Sequence, residues 1–209
     1  FAKRNEKRTE EAKKAQQAKK EEEKKADKKK EEEKKGTETN KAKLDVIYIL
    51  DKSGSMKEDF GGTSKRIAAS NAITALTKSL KQNVNIDARF SMVTFSGNKT
   101  TGMWGQGDTK TWDDAEVAVS WTTDAGTIER GSKPTSNGGT NYQAGIRTAK
   151  ELLTSKRAGA MTAVIFISDG DPTFYYNPDG YTRGDGNNDG NGGADNLKVC
   201  LDAAKNEIA

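Results

Sequence analysis

Residues 44–56 read LDVIYILDKSGSM: a run from Leu44 to Leu50 that is apolar apart from Asp45, followed at once by Asp51, Ser53 and Ser55. Such a run, rich in Val, Ile and Tyr, reads as a strand of a parallel sheet covered on both faces. The D-x-S-x-S loop that follows sets one carboxylate and two hydroxyls on a tight turn eased by Gly54. Their oxygens converge just past the carboxyl end of the strand, and hard oxygen donors of this kind suit Mg²⁺ or Mn²⁺. Alone, the pattern also describes a strand-to-helix turn with a serine cap. Two further pieces favour a metal site, because a parallel α/β sheet can return both to the same edge. They are Thr140, after Gly138 and Gly139, and Asp169, after the apolar strand Ala163 to Ile167.

These segments carry a resemblance. Asp51–Met56 (DKSGSM), Gly138–Asn141 (GGTN) and Ile167–Gly170 (ISDG) resemble, in order and spacing, the metal-ion-dependent adhesion site of a von Willebrand factor type A domain. The likeness covers roughly Lys43 to Ala209, and Ile167–Tyr176 (ISDGDPTFYY) narrows it toward surface and pilus-tip adhesins of Gram-positive bacteria. It implies an α/β fold, a Rossmann-like doubly wound, mostly parallel sheet. It also implies that Ser53 and Ser55 coordinate Mg²⁺ (or Mn²⁺ or Ca²⁺) directly, Asp51 and Asp169 mostly through bound waters, and Thr140 in either way. With few carboxylates in direct contact, such an ion keeps positive charge and an exchangeable position for a partner's Asp or Glu. The implied partner is a protein or extracellular-matrix ligand, or another surface or pilus subunit, and the implied location is the bacterial cell surface or pilus.

Composition divides the chain. Residues 1–43 contain 17 of the 35 basic and 11 of the 31 acidic residues, and no Leu, Ile, Val, Trp or Tyr, so they cannot build a core. They read as a Lys/Glu-rich spacer, helical or disordered, preceding a type A domain over 44–209. As a continuous helix, residues 1–35 would extend about 50 Å. The remaining 18 basic and 20 acidic residues leave residues 44–209 slightly acidic, which argues against nucleic acid as a partner.

The sequence contains no histidine and one cysteine. Ser-His-Asp and Cys-His catalysis, His-ligated metals and an internal disulfide are thereby excluded. No Walker-type phosphate loop occurs. The chain therefore reads as a binding module and not an enzyme. Two other readings stay open beside adhesion: an assembly subunit of a surface filament using the same domain for subunit contacts, and a chelatase-type subunit that contacts a partner ATPase. No apolar run reaches the ~20 residues needed to cross a bilayer.

From Leu44 onward, strands and helices alternate. The patterns predict a helix over 64–80 with Ala69, Ala72, Ile73, Leu76 and Leu80 buried, a strand over 85–96, and an amphipathic helix over 141–153. They further predict a buried strand over 162–168 and a helix over 195–208 whose apolar face is Leu197, Cys200, Leu201, Ala204 and Ile208. Cys200 is expected to be a buried small hydrophobe. Two insertions, 97–137 with Trp104, Trp112 and Trp121, and 172–194, read as loops; they either shape the binding surface or, for the tryptophans, form a satellite core.

A second candidate lies in Asp185, Asn187, Asp189 and Asn191, spaced like the start of an EF-hand loop with Gly190 at the turn, so Ca²⁺ is a candidate ligand of 185–195. The twelfth position is Asn196 where a bidentate Glu is needed, and a flexible Gly/Asn/Asp loop is the competing reading. Because the resemblance implies a further strand and helix after 208, the native polypeptide is expected to continue beyond Ala209. A chain beginning with Phe1 is expected to be a processed or cut piece.

Overall fold

β1 (Ala42–Asp51) is buried from Asp45 to Asp51, as its apolar run requires. In the computed structural model, which describes residues 24–25, 41–97, 114–178, 182–184, 186 and 193–208, this strand lies inside a four-stranded sheet. β2 (Ile86–Phe95) pairs with it in parallel, from Ala42↔Ile86 to Asp51↔Phe95, and β4 (Met161–Ile167) pairs in parallel on its other side. β3 (Ala115–Thr122) is antiparallel to β2, so the order is β3-β2-β1-β4.

The period-2 alternation of β1 sorts the core. Val46, Tyr48 and Leu50 face one cluster with Phe90, Met92, Ile73 of α1 (Lys65–Gln82) and Ile128 of α2 (Ala125–Gly131). Ile47 and Ile49 face the other, with Val93, Phe95 and Ala149 of α3 (Tyr142–Leu153). α4 (Gly193–Ile208) packs beside α3. Helices thus cover both faces of a mostly parallel sheet, which is the predicted α/β class.

Several details differ from the sequence reading. In α1 the buried residues are Ser70, Ile73 and Thr77, while Ala72 and Leu76 are exposed. The two hydroxyls go inside because partners await them: Ser70 Oγ lies 2.6 Å from Ser132 Oγ, and Thr77 Oγ1 lies 2.8 Å from the Tyr48 hydroxyl. Residues 115–131 are no loop: they form β3 and α2. Trp121 lies in β3, its indole donating to Ser155 Oγ (2.8 Å) and its ring under Arg89, at the opposite sheet edge from Asp51. It therefore does not shape the surface around that residue. Trp104 and Trp112 lie outside the described residues, as do 1–23 and 26–40.

β4 is less covered than predicted, with Val164 47% and Phe166 37% exposed, because among the described residues it pairs only with β1. In α4, Cys200 and Ala204 are buried as expected, but Ile208 is exposed. Part of the second insertion is ordered by a short hairpin, β5 (Tyr175–Tyr176) with β6 (Thr182–Arg183). The chain divides into two units, Phe1–Lys41 and Ala42–Ala209, and in the first the described residues Lys24 and Lys25 are helical.

Candidate metal centre

Three loops meet at the carboxyl edge of the sheet. The first leaves β1 through Asp51 into a 3-10 turn, Gly54–Lys57. The second is Gly138–Thr140, running into α3, whose first turn is capped by Asn141 accepting from the Ala144 amide. The third leaves β4 through Ser168 and Asp169. Backbone hydrogen bonds bind the first two: the Gly54 amide donates to Gly138 O (2.9 Å), and the Asn137 amide to Lys52 O (2.8 Å). Gly97, just past β2, bridges Gly139 through reciprocal amide–carbonyl bonds.

Glycine is required in the second loop. Gly138 has φ of 78°, and a Cβ there would stand 2.3 Å from Gly97 O. A Cβ on Gly139 would stand 2.3 Å from Cε2 of the buried Phe174. Thr140 is held by its backbone, its amide donating to Thr173 Oγ1 (2.9 Å) and its carbonyl accepting from the amides of Thr173 and Phe174.

The side chains then close on one another. Asp51 is fully buried, with Oδ1 accepting from the Ser53 amide (2.7 Å) and Oδ2 from Ser168 Oγ (2.6 Å). Ser55 Oγ donates to Asp169 Oδ1 (2.8 Å), and Ser53 Oγ lies 3.1 Å from Ser55 Oγ. Ser55 has one hydroxyl proton and gives it to Asp169, so Ser53 is the donor between the two serines. Asp51, Ser53, Ser55 and Asp169 are thus brought into one cluster, with the Thr140 loop pinned against it. Burial, with the nearby Asp169 charge adding to it, pushes the Asp51 carboxyl above its ordinary range despite the hydrogen bonds from Ser168 and Ser53.

The donor set suits a small hard cation. Ligands at about 2.1 Å on adjacent corners of an octahedron stand about 3.0 Å apart, and the two serine oxygens are 3.1 Å apart. Among the described residues no three or more His, Cys, Asp and Glu side chains gather to hold a metal, so a cation here would rest on two carboxylates and on hydroxyls. Asp185, Asn187, Asp189 and Asn191 lie outside the described residues.

Three residues around the cluster carry no role in the sequence reading. Ser168 orients Asp51, and the Tyr142 hydroxyl shares its one proton between Ser168 Oγ (3.1 Å) and Gly170 O, which ties α3 to the β4 loop. Lys65 sets its ammonium 2.9 Å from Asp169 Oδ2, an ion pair that leaves this buried oxygen without a hydrogen bond, and 2.6 Å from Glu58 Oε2. Glu58, then Asp169, raise the Lys65 pKa. Its signal in the sequence is positional. Lys65 and Arg66 occupy a helix first turn without an acidic residue, where the macrodipole disfavours cations, so they need anionic or carbonyl partners. Arg66 finds the Pro134 carbonyl at 2.8 Å.

The family profile of the von Willebrand factor type A domain matches residues 45–182. The chain belongs to the von Willebrand factor type A domain family. Solved structures share the fold of this type A domain. They include the pilus adhesin SpaC from Lactobacillus rhamnosus GG, 22% identical with a TM-score of 0.52 over 65% of this chain and 16% of that one. The PilB minor pilin from Streptococcus sanguinis is 20% identical with a TM-score of 0.50 over 65% of this chain and 32% of that one. This chain therefore spans a third or less of the length of either protein. A search of curated proteins finds no match. Among the described residues no helix is long and apolar enough to cross a membrane.

Proposed function

We propose that this type A domain is a non-enzymatic, metal-dependent adhesion module of a bacterial surface or pilus protein, holding an acidic group of a protein or matrix ligand through a divalent cation. The observation that carries the reading is the convergence of Asp51, Ser53, Ser55 and Asp169, with the serine oxygens 3.1 Å apart at the carboxyl edge of the sheet. Ser53, Ser55 and Thr140 would hold the cation, Mg²⁺ or Mn²⁺, with Asp51 and Asp169 behind them. When bound, the cation supplies a coordination position open to an Asp or Glu side chain. The protein's part is orientation. The Ser53 amide and Ser168 fix both oxygens of Asp51, and Asp169 receives the Ser55 proton, which leaves hydroxyl lone pairs as donors. Support for a surface or pilus setting comes from SpaC and PilB, which share the fold.

Calorimetric titration of Mg²⁺ and Mn²⁺ into wild type and Asp51→Ala tests the reading. Saturable binding that the substitution abolishes is the expected result, and binding indifferent to Asp51 sinks it. The assembly-subunit alternative separates in a second step, since partner capture through subunit contacts alone persists in a chelator.

A further inference from the structure

Lys65 is a cation beside a cation site. Its side chain is 25% exposed, that of Asp169 is 8% exposed, and the ammonium stands 2.9 Å from Asp169 Oδ2 while Oδ1 faces Ser55. The second anion on Lys65, Glu58, is 63% exposed, so water screens it more than it screens the pair with Asp169. In its own element Lys65 sits at the first position of α1, where the helix dipole repels it. The placement runs against local preference and is held by Asp169 and Glu58.

We propose that Lys65 is the positioning residue that sets the cation affinity and ligand sign of the centre, acting through Asp169; this rests on the metal-dependent reading above. Two carboxylates, Asp51 and Asp169, would together neutralise a divalent cation. The Lys65 ammonium changes that balance by one unit. It opposes the incoming cation and, because its other partner Glu58 is exposed to water, makes the loaded centre more positive than the same centre without Lys65. Metal affinity is lowered, and an acidic partner group meets attraction where a neutral centre would offer little. The Ser55 hydroxyl holds Oδ1 of Asp169, so Lys65 acts on the other oxygen through its charge.

The test is a Mn²⁺ titration by calorimetry of wild type, Lys65→Met and Lys65→Arg, at low and high NaCl, with circular dichroism as a folding check. Lys65→Met keeps the aliphatic stem and removes the charge. It is expected to bind Mn²⁺ on the order of tenfold more tightly than wild type at low salt, with the ratio shrinking as salt screens the repulsion. Lys65→Arg, which keeps the charge, is expected to match wild type. Equal affinity in all three, or weaker binding by Lys65→Met, overturns the role of Lys65 and leaves the metal reading standing. No saturable heat in any of the three overturns the metal reading and this inference with it.

Discussion

Asp51 and Asp45 lie six residues apart in one strand and are both fully buried, yet their surroundings drive them in opposite directions. Asp51 is a desolvated carboxylate near a second one, with hydroxyl and amide donors but, among the described residues, no cation in contact. Replacing it by Asn removes the buried charge and keeps an acceptor for the Ser53 amide. In a chelator at neutral pH, Asp51→Asn is expected to be more stable than wild type by about 1 kcal/mol, and to lose all stabilisation by Mn²⁺. Thermal melts with and without Mn²⁺ check both halves. Asp45 is a structural clamp at the other sheet edge. Arg89 meets it with Nε and a terminal nitrogen at 3.0 and 2.8 Å, and Arg157 with its amide and Nε, each at 2.8 Å. Burial alone would raise its pKa, but hydrogen bonds from Arg89 and Arg157 outweigh it and hold the group at about 2. The folded value lies below the unfolded one, so the stabilisation, about 2 kcal/mol, is complete above pH ~4 and is lost as pH falls toward 2. Asp45→Ala should cost about 2–4 kcal/mol by leaving two guanidinium groups short of their shared partner. It should also flatten the acid limb of a stability–pH curve measured by urea unfolding; an unchanged limb would rule out the clamp.

At the scale of elements, the Gly138–Thr140 turn matters most to the site, because its backbone is locked against Gly97, Gly54 and Phe174. Gly139→Ala is expected to push Phe174 and Thr173 aside, cost about 1–3 kcal/mol, and weaken Mn²⁺ affinity by moving Thr140. Unaltered Mn²⁺ affinity in a destabilised Gly139→Ala would show that Thr140 is dispensable. This turn was legible in the sequence as G-G-T, and β1 was legible because an apolar run ending in D-x-S-x-S leaves few alternatives. The buried face of α1 was legible only in part: Ile73 is buried and Ala69 and Leu80 pack against its cluster, but Ala72 and Leu76 are exposed and two hydroxyl residues go inside. Ser70 and Thr77 look like surface residues until Ser132 and Tyr48, 62 and 29 positions away in sequence, come into hydrogen-bond range. β3 was missed for a related reason. Its alternation, Val117, Val119, Trp121, is present, but only Val119 is buried, and its neighbours in sequence are Gly- and Trp-rich. Ser168 stood in plain view beside Asp169, whereas its bond to Asp51 depends on β1 and β4 being paired.

For the whole molecule, the sheet joins a rigid centre to a site built from loops. The β1, β2 and β4 register carries Asp51, Gly97 and Asp169 to one edge, while α1 and α3 start there and bring Lys65 and Tyr142. A cation bound only by the folded state stabilises it by mass action, about 2.7 kcal/mol at a hundred times its dissociation constant. Wild-type melting temperature should therefore climb with Mn²⁺ concentration, and the climb should vanish in Ser53→Ala/Ser55→Ala. The most direct measurement is the anomalous signal of Mn²⁺ in crystals of this domain. The expected result is a peak within about 2.3 Å of both Ser53 Oγ and Ser55 Oγ, beside Thr140 and in reach of Asp51 and Asp169 through water. A peak only in the 185–195 loop, or none at saturating Mn²⁺, would contradict a cation centre at the D-x-S-x-S edge.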